Sequence, residues 1–184
     1  MSEQILAAHC SPTLAGIKTG NLFTCCIPEG KTLFSVIHRW NTLLNPKGVF
    51  ILAFPCRADR AMIYVYRKSR LEKDLFSPET QLFLREFGYG QENNLPAILA
   101  KLAERLEKSS GFPHEIGLFL GYPLEDVKGF IANKGRNCKC TGYWKVYGDV
   151  GTAQNLFQKY RKCTDIYCRK LQEGTSILRL TVTA

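Results

Sequence analysis

The sequence predicts a single α+β domain over residues 1–184, with a mixed sheet of about four strands covered by helices. Three observations carry that expectation. Two nearly unbroken apolar runs, 49–54 and 61–66, flank the polar stretch PCRADR and read as a buried antiparallel pair of central strands. Several other stretches repeat apolar residues at helical spacing and are bracketed by Ser, Asn, Pro or Gly. Finally, residues 112–131, FPHEIGLFLGYPLEDVKGFI, predict a helical hairpin broken at Gly-Tyr-Pro. Pro113 suits a first turn, Ile116, Phe119 and Leu120 recur at helical spacing, and Gly121 stops that helix. Pro123 opens the next helix, with Glu125 and Asp126 near its positive end and Leu124, Val127, Phe130 and Ile131 as its apolar stripe.

In chain order, residues 3–8 predict a short helix, and Ser11-Pro12 predicts the start of another turn, which would set Cys10 beside a helix N-terminus. Residues 21–27 read as a strand. Pro28, Glu29 and Gly30 then turn the chain into a helix carrying Leu33, Phe34, Ile37, Trp40 and Leu44 on one face, ended by Asn45-Pro46-Lys47-Gly48. Ser69 and Glu72 have capping-box spacing for a short helix, and Ser77-Pro78 begins another that carries Leu82, Phe83 and Phe87 up to Gly88. Asn93 or Asn94 with Pro96 opens an amphipathic helix, with Leu95, Ile98, Leu99, Leu102 and Leu106 inward and a Glu104–Lys108 pair outward. Ser109-Ser110-Gly111 leads into the hairpin. The run GYWKVYG alternates as a strand does, and is expected at a sheet edge or in a pocket wall. Asp149 caps the longest helix, to about Glu173, with Ala153, Leu156, Phe157, Tyr160, Thr164, Tyr167 and Leu171 inward, and residues 175–182 predict a final strand.

A chain of 184 residues can bury a core without a disulfide scaffold. Lys plus Arg outnumber Asp plus Glu by 25 to 16, a formal charge of +9 that favours an anionic ligand or surface. The basic residues are scattered, as on a solvated face. In the hairpin, Gly117, Gly121 and Val127 stand at helix-turn-helix offsets, but the second helix offers Glu125 and Asp126 where a recognition helix needs polar or basic groups, so nucleic acid is disfavoured as a partner. No apolar run reaches the length of a membrane span, and no basic cluster precedes an apolar stretch at the N-terminus. A cytoplasmic protein with reduced cysteines is expected.

Chemistry has a few places to reside. His9 and Cys10 form a nucleophile or redox candidate, because a helix N-terminus and an imidazole both favour thiolate. A cysteine phosphatase would need an arginine six residues after the cysteine, where this chain has Gly16. Cys25-Cys26, Cys138-x-Cys140 and Cys163-x4-Cys168 lack the two-residue gap of zinc or iron–sulfur knuckles, but with three histidines they leave iron or another thiolate-bound metal open. Cys138 and Cys140 lie among Lys134, Arg136 and Lys139, which favour thiolate. Tyr143, Trp144 and Tyr147 could stack on a flat ligand, with Arg67 or Lys145 near its anionic groups. No dinucleotide or P-loop pattern is present.

The segments HCSPTLAGIKTGNLF, YVYR, FPHEIGLFLGYPLEDVKGFI and GYWKVYGD together resemble a bacterial family catalogued only as a domain of unknown function. The resemblance covers nearly the whole chain. It implies a small stand-alone cytoplasmic protein of bacteria that often live anaerobically, associated with flavodoxin and iron-handling genes, and it brings no established reaction. Its motif positions nominate His9, Cys10, Pro12, Thr13, Lys18, Arg67, His114, Glu115, Tyr122, Trp144 and Asp149; Cys25, Cys26, Cys138 and Cys140 lie outside them. The expectation is a ligand-binding or thiol-redox accessory protein, partnered by a redox protein or an anionic ligand. Cys10 and His9 would supply the thiol chemistry, and Thr13, Lys18, Arg67, His114, Glu115, Tyr122, Trp144 and Lys145 would bind the ligand in the same pocket. The alternatives are a cysteine-nucleophile enzyme with His9 or His114 as base, so that catalysis stays open, and a basic anion- or nucleic-acid-binding module.

Overall fold

Val65 stands in register between Asn21 of one neighbouring strand and Ile51 of the other, at the middle of a three-stranded sheet. The computed structural model describes residues 1–26, 32–57, 60–90, 94–108 and 112–183, with the backbone alone at 55–57. The strands are β1 (Gly20–Cys26), β2 (Val49–Arg57) and β3 (Arg60–Arg67), in the order β1-β3-β2. The class is α+β as expected, but among the described residues the sheet is antiparallel and has three strands rather than about four. The residues fall into two compact units, Met1–Arg70 with Gln158–Ala184, and Leu71–Phe157.

In the first unit, β-strand alternation sends Phe23, Ile51, Ile63 and Val65 to one face. There they pack with Leu6, Cys10 and Leu14 of α1 (Glu3–Leu14), Trp40 and Leu44 of α2 (Leu33–Leu44), Tyr167 of α8 (Val150–Gln172) and Ile177 of α9 (Ile177–Leu180). Each such aliphatic side chain stabilises the fold by roughly 1.5–3 kcal/mol. The other face carries an aromatic ladder, with Tyr64 5.0 Å from Tyr66 and Phe50 5.7 Å from Tyr66.

Several sequence expectations need correction here. Residues 3–14 form one helix that runs through Pro12, not two. Ser11 does not cap; its hydroxyl donates back to the Ala7 carbonyl within the helix, so the Ser-Pro pair lies inside a turn instead of opening one. Cys10 therefore lies inside α1, away from the N-terminus of that helix. Phe34 belongs to α2 but is 78% exposed, outside the buried stripe of that helix. The tail forms the helix α9, not a strand, because the Ser176 hydroxyl accepts the Arg179 N–H at 3.3 Å and so caps a turn that seats Ile177 in the core. The helix α3 (Lys68–Leu75) follows β3 directly, leaving Ser69 inside it rather than at its cap.

In the second unit, Ser77 caps α4 (Pro78–Arg85), accepting the Thr80 N–H at 3.4 Å. Asn94 serves the same purpose for α5 (Leu95–Lys108), accepting the Ala97 N–H at 3.0 Å. Leu82 of α4 is exposed. The predicted turn at Pro28-Glu29-Gly30, the alternative cap Asn93 and the Ser109-Ser110-Gly111 link lie outside the described residues. The hairpin forms as α6 (Ile116–Phe119) and α7 (Leu124–Ala132), although α6 is a single turn: Pro113 and His114 only accept the N–H groups of Ile116 and Gly117 ahead of it, at 3.2 Å each. Gly121 makes the break at φ +76°, a conformation that costs other residues a Cβ clash. Gly117 lets the two arms close, since a Cβ there would come within 2.8 Å of Val127 Cγ2 and 3.1 Å of Tyr122.

The run GYWKVYG contributes the two residues of β5 (Lys145–Val146), paired with β4 (Cys140–Thr141) in a small hairpin. Its alternation is as expected, with Trp144 and Val146 buried and Tyr143 exposed. Asp149 caps α8, accepting the Thr152 N–H at 3.1 Å.

Candidate functional site

The second unit holds a cavity of about 460 Å3 between the α6–α7 hairpin and the β4–β5 hairpin. It is built from the N-terminus of α7 outward. Asp126 lies in the first turn, where the helix dipole favours a carboxylate, yet it is 3% exposed instead of facing solvent. Its Oδ2 accepts the Trp144 indole N–H at 2.6 Å, and its Oδ1 accepts the backbone N–H groups of Tyr147 and Gly148 at 2.7 and 2.8 Å. One carboxylate thus fastens the segment after the β-hairpin to the start of α7. Trp144 is held on two further sides, by Tyr122 stacked at 4.9 Å and by Phe157 edge-on at 4.5 Å.

The buried residues Ile116, Leu120, Val127 and Trp144 give the cavity an apolar interior. Exposed His114 and Thr141 and half-buried Lys145 supply polar groups around it. The His114 ring lies edge-on to Phe130 at 4.8 Å, and the Lys145 ammonium sits 5.9 Å from the centre of the same ring while donating to the Gly135 carbonyl at 2.7 Å. An apolar interior with a few polar groups at its margin is the usual make-up of a small-molecule site.

The nominated residues fall into two sets, one in each unit. His114, Tyr122, Trp144 and Lys145 share the cavity. Glu115, in the same unit, is 1% exposed and is engaged by Arg105 in an ion pair and by the Tyr89 hydroxyl at 3.3 Å. In the first unit Cys10, Thr13, Lys18 and Arg67 are buried at the end of α1, and their polar groups are turned to the protein itself. The Arg67 guanidinium donates to the carbonyls of Thr13 at 2.7 Å, Lys47 at 3.2 Å and Val182 at 2.7 Å, and to that of Leu14. Thr13 donates to Asn21 at 2.6 Å, and Lys18 donates to the Gly20 carbonyl.

Burial pushes the Cys10 thiol well above its ordinary range, against a smaller opposing pull from the Lys18 charge; this is the reverse of the activation expected at a helix N-terminus. Burial also lowers Lys18 to about 7, with Cys10 working the other way. His9 is exposed on α1 and its ring stacks on Phe23 at 4.7 Å.

Cys10, Cys25, Cys26, Cys138, Cys140, Cys163 and Cys168 are free thiols, and Cys138 Sγ lies 3.5 Å from the Thr141 hydroxyl. Among the described residues no three His, Cys, Asp or Glu side chains stand together as a metal site would require, and no helix is long and apolar enough to cross a membrane. Sequence reasoning placed Asp126 only as a partner of the helix dipole and did not include Phe130 in the site. The partners of Asp126 stand eighteen to twenty-two residues away and two of them are backbone groups, so no local pattern announces them.

Comparison with curated proteins and with solved structures gives no match. A family model described as "Protein of unknown function (DUF3793)" matches residues 6–181, through both units, and the chain belongs to that family.

Proposed function

We propose that the protein is a ligand-binding accessory protein that takes a small, largely apolar molecule into the Trp144 cavity. The observation that carries this reading is the fixed aromatic wall: Trp144 is tied by Asp126 and flanked by Tyr122 and Phe157, so its indole face is in place before a ligand arrives. Such preorganisation removes part of the ordering cost of binding. The volume, about 460 Å3, falls within the roughly 300–1,000 Å3 of small-molecule sites. The burial of Cys10 and the raised pKa of its thiol favour ligand binding over thiol chemistry at that residue.

The test uses Trp144 as its own reporter. In a Trp40→Phe variant, which leaves Trp144 as the remaining tryptophan, titration with the neutral aromatic 1-naphthol should change the emission saturably, with a Kd below about 1 mM. Filling the cavity by Ile116→Phe should abolish the saturable phase. Linear, non-saturating quenching that is the same in both proteins would refute the reading.

A further inference from the structure

We infer that the cavity selects an anionic amphiphile, a molecule with an apolar body and a single carboxylate, and that Lys145 is the residue that reads the charge; this rests on the ligand-binding reading above. The polar groups at the cavity margin can all donate a hydrogen bond. Lys145 brings an ammonium with three N–H donors, one of which goes to the Gly135 carbonyl, while Thr141 brings a hydroxyl and His114 an imidazole. The carboxylate in the lining, Asp126, accepts three N–H groups within 2.8 Å and so faces the Tyr147 and Gly148 backbone and the Trp144 indole. The segment joining α7 to β4 adds Lys134, Arg136 and Lys139, all exposed, which raise the local positive potential.

Inside, the lining is hydrocarbon and aromatic. A fully polar anion would lose its hydration there without replacement, and a neutral apolar molecule would leave the cationic margin unused. A carboxylate-bearing amphiphile meets both conditions at once: its body covers Trp144, Val127 and Leu120, and its head takes a charge-assisted hydrogen bond from Lys145. Two kinds of molecule share this chemistry, flat aryl acids and flexible alkyl acids, and the experiment separates them.

Binding of 1-naphthoate, octanoate and the neutral isostere 1-naphthalenemethanol is compared by Trp144 emission in the Trp40→Phe background and by calorimetry at low salt, with Lys145 intact and in Lys145→Met and Lys145→Arg. The expected result is that 1-naphthoate binds about ten-fold or more tightly than its neutral isostere, that Lys145→Met removes the preference without weakening the neutral compound, and that Lys145→Arg restores it. Octanoate binding as tightly as 1-naphthoate extends the class to alkyl acids; weaker octanoate binding narrows it to aryl acids. Equal binding of the charged and neutral naphthalenes, or a preference that survives in Lys145→Met, overturns the assignment of the anion while leaving the cavity as a ligand site. If none of the three compounds binds, both the assignment and the ligand-binding reading fall.

Discussion

Asp126 and Trp144 are joined by a 2.6 Å hydrogen bond from the indole N–H to a carboxylate that also accepts the backbone N–H groups of Tyr147 and Gly148, just beyond β5. The bond couples the placement of the aromatic wall to the N-terminus of α7, so cavity shape and local stability share one residue. In Asp126→Ala, three donors, two of them in buried hydrogen bonds, lose their acceptor, and the expected loss of stability is about 3–5 kcal/mol. Asp126→Asn keeps an oxygen for Tyr147 and Gly148 but turns an NH2 toward the indole, for an expected loss of about 1–3 kcal/mol and a Trp144 emission shifted toward that of a solvated indole. Urea denaturation followed by far-UV circular dichroism, together with emission spectra in the Trp40→Phe background, reads both effects. An Asn variant that matches the parent in stability and spectrum would show that the carboxylate does not hold the wall.

Arg67 is the counterpart in the first unit, and it ties backbone to backbone. Its guanidinium reaches the last carbonyls of α1, the Lys47 carbonyl before β2 and the Val182 carbonyl of the tail, which joins three distant stretches of chain at one planar group. The α1 carbonyls belong to the last turn of the helix, where the dipole favours a cation. Arg67→Lys retains the charge but not the fork of donors. It should cost about 2–4 kcal/mol and expose the tail to carboxypeptidase digestion. Denaturation midpoints and the digestion rate check this; a Lys variant within about 0.5 kcal/mol of wild type would reduce the fork to a bystander.

The contrast between these two residues explains what the sequence reveals and what it hides. The pair β2 and β3 is legible because an apolar run on each side of a polar stretch has few other uses, and Ser77 and Asp149 are legible because an N-cap is a local contact three residues long. Ser11-Pro12 misleads for the same reason: the local signal of a helix start also fits inside a last turn. Helical periodicity identifies a face but not its width, so it includes Phe34 on the apolar face of α2 although that side chain is exposed. Of the residues around the cavity, His114, Tyr122, Trp144 and Lys145 stand out in the sequence by residue type and motif. The use of Arg67, Lys18 and Asp126 does not, because their partners are main-chain groups that every residue carries and that only the fold brings into range.

Lys18 and Cys10 give the fold a pH dependence whose direction follows from burial. The folded chain holds Lys18 at about 7, whereas the unfolded chain holds it near 10.4, so above pH 7 unfolding takes up a proton and stability rises with pH. Below pH 7 both states are protonated, and the penalty for the buried ammonium is constant and at its largest. Cys10 acts in the opposite sense: its folded pKa is raised, the unfolded thiol ionises from about 8.5, and from there unfolding releases a proton and stability falls with pH. The two slopes should therefore give a gain of about 2 kcal/mol between pH 7 and 8.5 and nearly cancel above it. Cys25 and Cys163 are also raised by burial and contribute to the decline, so differences between variants isolate the pair. Relative to wild type, Lys18→Met should lose the rise from pH 7, and Cys10→Ala should extend it toward pH 10. Urea midpoints at pH 6.5, 7.5, 8.5 and 9.5 measure this. If Lys18→Met tracks wild type across that series, the buried ammonium is not what sets the pH response.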